Sequence, residues 1–205
     1  FNKDLPAHEH DPAKANATLD AAGWNRGSSG IRENDGVQQE FSNSTTSGTA
    51  VREQTQQLLM QDWKAIGALL RISNMPAAVI WGEFWQQSKF QSVIVGVNFM
   101  LGSDPDVTPR FGSGAIPAKG GRGYNTYQYQ SKEADRLLAQ GAAQFDLAER
   151  KKTYGALQKL IRDDLTILPL FQSVISEGTK EGLQGFSPNI NTSSNCWNMR
   201  EWYWA

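Results

Sequence analysis

Residues 50–99 read AVREQTQQLLMQDWKAIGALLRISNMPAAVIWGEFWQQSKFQSVIVGVNF, and two changes of period inside this stretch decide the fold. Val51, Leu58, Leu59, Asp62, Trp63 and Ile66 fall near one face at helical spacing, which predicts a helix over 50–66 that Gly67 closes. The run 69–73 then reads as a short strand. Pro76 opens a second helical stretch in which Ile80 and Trp81 stand four residues before Phe84 and Trp85. The Val- and Ile-rich run 92–99 reads as a buried strand. Helix and strand alternate, the pattern of a layered α/β unit.

Upstream, Asp11 caps a helix over 12–22 with Pro12 at its first position and Gly23 beyond its last turn. Its apolar residues are mostly alanines, so it buries little. The Gly-, Ser- and Asn-rich stretch 25–36 predicts turns and a small ribbon around Ile31 and Asp35-Gly36. The run 37–42 reads as a strand and 42–49 as a polar connector. Downstream, 100–130 is irregular and glycine-rich, a length that inside a domain usually marks function or disorder. Ser131 caps a helix over 131–144 carrying Leu137 and Leu138. Asp146 and Glu149 form a capping-box pattern for a helix over 147–163, with Tyr154, Leu157, Leu160 and Ile161 inward. Residues 167–171 read as a strand that Pro169 confines to an edge or crossover. Short strands and loops follow, ending at Trp202-Tyr203-Trp204.

The 205 residues carry 20 basic and 21 acidic side chains, a net charge of −1. That balance argues against a nucleic-acid surface, which needs clustered Lys and Arg, and the longest basic run is Arg150-Lys151-Lys152 on a helix face. A single cysteine, Cys196, excludes an internal disulfide and a multi-cysteine zinc site, and it reads as a small buried residue. No apolar run reaches the length of a spanning helix. Phe1-Asn2-Lys3-Asp4 carries no signal-peptide pattern, and the chain reads as a piece of a longer protein.

Catalytic chemistry is sparse. His8 and His10 flank Glu9 without partners at metal-ligand spacing, and no G-x-S-x-G context is present, so no metal or cofactor is expected. Asp104/Asp106 and Asp163-Asp164 are possible acid pairs, but such carboxylates commonly cap turns and helix ends. Gly112-Ser113-Gly114 and Gly120-Gly121-Arg122-Gly123 lack phosphate-loop spacing. The seven tryptophans stand out. Trp63, Trp81 and Trp85 lie on helical faces, where core packing competes with the wall of a binding pocket.

Six segments in order carry a resemblance. They are Asp11-Pro12-Ala13-Lys14-Ala15 with Leu19 to Trp24, Gln56-Gln57-Leu58 with Ile66-Gly67, and Trp81-Gly82-Glu83-Phe84. Asp104-Pro105-Asp106 follows, then Tyr124-Asn125 with Ala134 to Leu138, and Asp146, Glu149, Arg150 and Tyr154 with Leu168-Pro169-Leu170-Phe171. Together they resemble the C-terminal part of periplasmic solute-binding proteins of the dipeptide/oligopeptide class, family 5, which serve ABC importers. The resemblance implies the second lobe of a type II periplasmic-binding-protein-like fold over 1–166, with 167–205 crossing the hinge to complete the first lobe. It implies an extracytoplasmic, monomeric receptor that captures peptide or peptide-like solutes for ABC membrane subunits, not an enzyme. A carbohydrate-binding variant and a hydrolase with a carboxylate pair are the alternatives.

By position, the resemblance assigns the solute to Val79, Trp81, Asn98, Phe99, Met100, Leu101 and Asp104. Ligand crevices in α/β sheets form beyond the strand ends, and the irregular segment after 92–99 lies there. One departure matters. In the family an Asp shortly before the D-P pair accepts the solute's α-ammonium, and the aligned residue here is Leu101, or Met100 with one residue gained. Neither accepts such a bond, which implies a solute not anchored by a free amine on this lobe.

Overall fold

The computed structural model describes residues 2–97, 104, 106–174, 176–189 and 194–205. In chain order these form α1 (Pro12–Ala21), β1 (Asn25–Arg26), β2 (Arg32–Asn34), β3 (Val37–Gln38), β4 (Glu40–Ser44), α2 (Ala50–Ala65), β5 (Leu69–Ile72), α3 (Ala77–Val79), β6 (Ser92–Val93), α4 (Thr108–Phe111), α5 (Lys132–Ala143), α6 (Leu147–Asp163), β7 (Leu183–Gln184) and β8 (Tyr203–Trp204). Two compact units result. Asn2–Val97 with Ser113–Tyr129 forms one, and Asn98–Gly112 with Gln130–Ala205 forms the other. None of the described helices is long and apolar enough to cross a membrane.

In the first unit, β1, β2 and β3 make an antiparallel ribbon. Asp35 (φ 47°) and Gly36 (φ 78°) turn it, the two positive φ values of a type I′ hairpin turn. The strand expected over 37–42 is two strands in two sheets. Gln39 marks the exchange, its N–H donating to Arg32 O and its carbonyl accepting from Leu69 N. Beyond it β4 lies at the centre of a parallel sheet of order β5-β4-β6. α2 is the crossover from β4 to β5, and Trp63 packs edge-on to Phe41 of β4 at 5.0 Å. Ala68, Leu70, Ile80, Ile94, Ala115 and Ile116 supply the buried apolar residues.

The inward face of α2 is not the one its apolar residues suggest. Val51 and Leu58 are exposed and Gln56 is fully buried, where it meets the polar strand ends at Asn43 and Asn74. Strand 92–99 is also shorter than expected. Only Ser92–Val93 pair with β4, and although Ile94 N still donates to Ser44 O, the Ile94 carbonyl is taken by the Thr45 hydroxyl at 2.9 Å. A side chain replaces the next rung. Residues 98 and 99 lie outside the described residues.

A buried arginine ties the ribbon to α1 and α2. Arg32, 1% exposed, donates to Asp20 Oδ1 (2.5 Å), Asn16 Oδ1 (2.7 Å), Ile66 O (2.7 Å) and Trp24 O. A buried guanidinium is tolerated only when its donors are met in this way. Gly67 closes α2 at φ +88°, and a Cβ there would stand 2.9 Å from Arg32 Cγ.

In the second unit α5 and α6 pack together on Ala134, Leu137, Leu138 and Leu157. Ser131 and Asp146 cap them as expected, accepting from Ala134 N and Glu149 N. The strand expected over 167–171 is absent. Pro169 offers no N–H, no described strand lies beside it, and a strand without a ladder has nothing to fix it. Leu168, Leu170, Phe171 and Val174 are left exposed. β7 and β8 pair antiparallel. Buried Asn198 fastens the turn before β8, donating to Gly185 O (2.7 Å) and accepting from Trp202 Nε1 (2.9 Å).

Candidate functional site

The order β5-β4-β6 makes the chain leave β4 toward one neighbour while the other neighbour returns from elsewhere, the arrangement whose carboxyl end forms ligand crevices in open α/β sheets. Here that end is lined by buried amides and hydroxyls. Gln56 Nε2 donates to Asn43 Oδ1 (2.8 Å) and Asn74 Oδ1 (2.9 Å), and Asn74 Nδ2 returns a bond to Gln56 Oε1 (2.9 Å). Asn74 Oδ1 also accepts from Thr45 N, and Asn43 Nδ2 donates to Ser92 Oγ, which donates to Ser42 O. The strand ends are thus locked to α2 by uncharged side chains that satisfy one another, and rigid strand ends position the loops beyond them. Sequence reading missed this network. Gln56 was visible only as part of a motif, and its depth could have been inferred only from the polar run Ser42-Asn43-Ser44-Thr45 facing it.

Val79 and Trp81 share one turn. α3 runs into a widened π-type turn at Ile80–Phe84, where Gly82 leaves helical geometry (ψ −133°). Ile80 is fully buried and Val79 is 53% exposed. Trp81 is half-buried and meets Trp85 edge-on at 5.5 Å, and Trp85 stacks on Phe90 at 5.4 Å. The Trp pair therefore packs against itself and Phe90 while keeping part of its surface open. Lys89 pairs with Glu83 at 2.5 Å and, chiefly through that hydrogen bond, holds the Glu83 carboxyl below its ordinary pKa.

Asp104 belongs to the other unit. Its Oδ1 accepts from Arg150 Nη2 at 2.6 Å and from Asp106 N at 3.1 Å, so the carboxylate is committed within the chain. Asp106 Oδ1 accepts from Thr108 N (2.9 Å) and Thr108 Oγ1 (2.5 Å) at the start of α4. Asn98, Phe99, Met100 and Leu101 lie outside the described residues.

His8 and His10 are exposed, and among the described residues no three His, Cys, Asp or Glu come together as a metal site. Cys196 is exposed, not buried, and the inward residue of its turn is Asn198. Asp163 pairs with Lys159 and Arg162 along α6. Glu40 and Glu133, held below their ordinary pKa mainly by hydrogen bonds from Arg71 and Arg136, are surface ion-pair partners.

This is the architecture of a periplasmic-binding-protein lobe. Residues 1–118, more than half of the chain, match the model of bacterial extracellular solute-binding proteins, family 5 Middle, and the chain belongs to that family. It is 26% identical over 208 residues to oligopeptide-binding protein AppA of Bacillus subtilis, covering 98% of this chain and 36% of that protein. It is 24% identical over 178 residues to heme-binding protein A of Haemophilus influenzae, covering 85% of this chain and 30% of that protein. The solved AppA structure, in complex with a nonapeptide, superposes with a TM-score of 0.78 at 22% identity over 100% of this chain and 40% of that one. The oligopeptide binding protein of Thermus thermophilus, complexed with a pentapeptide, gives 0.71 at 27% identity over 81% and 30%. The chain spans about a third of the length of the curated relatives it matches.

Proposed function

We propose that this chain is the C-terminal lobe region of an extracytoplasmic solute receptor that delivers peptide-like solutes to an ABC importer. The observation that carries the reading is the family match over 1–118, joined to a fold shared with two peptide-bound receptors. In this reading 1–166 forms the second lobe and 167–205 crosses the hinge to complete the first. The receptor works as a monomer by capture and not by catalysis. Two lobes close on the solute, exclude water, and present the closed form to the membrane subunits, a population shift that the solute drives.

Val79, Trp81 and the segment from Asn98 through Leu101 to Asp104 are the residues proposed to face the solute. Trp81 offers an aromatic face braced by Trp85, suited to gripping an organic solute without reacting with it. The ion pair of Asp104 with Arg150 and the apolar character of Leu101 both support a solute whose grip on this lobe needs no free α-ammonium. A heme-binding relative fits that chemistry, since heme carries none.

The test is calorimetry on the full-length protein with penta-alanine, its N-acetylated form, heme and a linear oligosaccharide. Binding of acetylated and free peptide with similar affinity is expected. Preference for the oligosaccharide would move the receptor to the carbohydrate reading. A large loss on acetylation that Asp104→Asn or Asp106→Asn abolishes would refute the amine argument.

A further inference from the structure

Arg150 is held more firmly than its partner. Its Nε donates to Gly141 O at 3.0 Å, one of the carbonyls that the last turn of α5 leaves without a helical donor. The guanidinium lies over the Tyr154 ring, 5.5 Å from its centroid. Tyr154 in turn fills the space beside Gly141, where a Cβ would come within 2.9 Å of the ring. The arginine side chain is 21% exposed, the Asp104 side chain 58%. The helix pair therefore fixes the cation first, and the loop carboxylate comes to it.

Arg136 with Glu133, Lys152 with Glu149, and Asp163 with Lys159 and Arg162 are ion pairs on α5 and α6 that join residues one turn apart or less. Arg150 and Asp104 are 46 residues apart. From Asp104 the connection runs through Asp106 N, Asp106 Oδ1 and Thr108 N into α4, whose Phe111 is buried. A charge-assisted bond is stronger than a neutral one, and bonds in such a series reinforce one another.

We propose that Arg150 is a positioning residue for solute binding: from the α5–α6 pair it latches Asp104, itself proposed to face the solute, and through Asp104 it holds Asp106 and the start of α4. The proposal rests on the receptor reading above. It gives Asp104 an internal partner, so a cationic solute group would have to displace Arg150 to reach it.

Hydrogen exchange and calorimetry on the full-length protein test this with Arg150→Met, Arg150→Lys and Asp104→Asn. In Arg150→Met, the Asp106 and Thr108 amides are expected to exchange at least tenfold faster while those within α5 and α6 keep their protection. Penta-alanine affinity is expected to fall about tenfold. Asp104→Asn, which spares the Gly141 and Tyr154 contacts, is expected to reproduce both effects, and Arg150→Lys to restore part of each. Unchanged exchange over 104–111 in both Asp104→Asn and Arg150→Met would overturn the latch. Faster exchange with undiminished affinity would overturn the positioning role. Failure of the unmodified protein to bind penta-alanine would count against the receptor reading for peptides, while the exchange result would still decide the latch.

Discussion

At Gly67 backbone and side-chain demands coincide. The left-handed φ alone costs an L-residue about 1–2 kcal/mol, and a Cβ would also press on the stem of Arg32, whose guanidinium bonds to both α1 and the end of α2. Gly48 has a similar φ of +83° with open space around it. Gly48→Ala is expected to cost only the backbone amount, and Gly67→Ala clearly more, as thermal melts of the two variants will show. Charge pairs act more gently. Glu40 on β4 reaches Arg71 on β5, and that hydrogen bond lowers the Glu40 pKa from its ordinary 4.5. Because the folded value is the lower one, the pair contributes fully above 4.5 and its contribution is lost as the pH falls through the folded value. The melting-temperature gap between the native protein and Glu40→Gln is therefore expected to be small near neutrality and to vanish in acid. A gap that widened in acid would contradict the assignment.

Elements that carry their own stop and start signals were legible from the sequence. Asp11, Ser131 and Asp146 cap where expected, α5 buries Leu137 and Leu138, and α6 buries Leu157, while Leu160, also assigned inward, is only half-buried. What was not legible depended on partners. Strand 37–42 divides because Gln39 bonds into two sheets, and 92–99 shortens because Thr45 takes the next carbonyl. The inner face of α2 was misread because its buried residue is an amide facing amides, a pairing that hydrophobic periodicity cannot register. The residues proposed to face the solute rest on position and resemblance alone, whereas the commitment of Asp104 to Arg150 needed the fold. The buried amide cluster also makes a prediction at this scale. Gln56→Leu matches volume but orphans groups on Asn43 and Asn74, and each buried orphan costs about 1–3 kcal/mol. Denaturant melts are expected to show a loss of that order, while Gln57→Leu at the exposed neighbouring position is expected to be nearly neutral.

For the molecule as a whole, two-lobe capture implies that residues 1–205 alone offer part of the solute's binding surface and cannot shut out water. Every 1.4 kcal/mol of binding energy forgone in this way weakens affinity about tenfold. Calorimetry is expected to find the 205-residue polypeptide orders of magnitude weaker than the full-length receptor, and equal affinities would sink the two-lobe account. The uncovered run from Leu168 to Val174 has a consequence of a different kind. Its leucines and Phe171 stand in water with no ladder to occupy their backbone groups, the condition under which extended apolar segments of separate molecules pair edge to edge. Pro169 interrupts that tendency at a single site, leaving Leu170, Phe171 and Val174 beyond it unprotected. Over-expressed by itself, the polypeptide would be expected to form concentration-dependent aggregates and to be nicked by proteases in this run first. Lysine in place of Phe171 and Val174 would act as a gatekeeper and keep it dispersed.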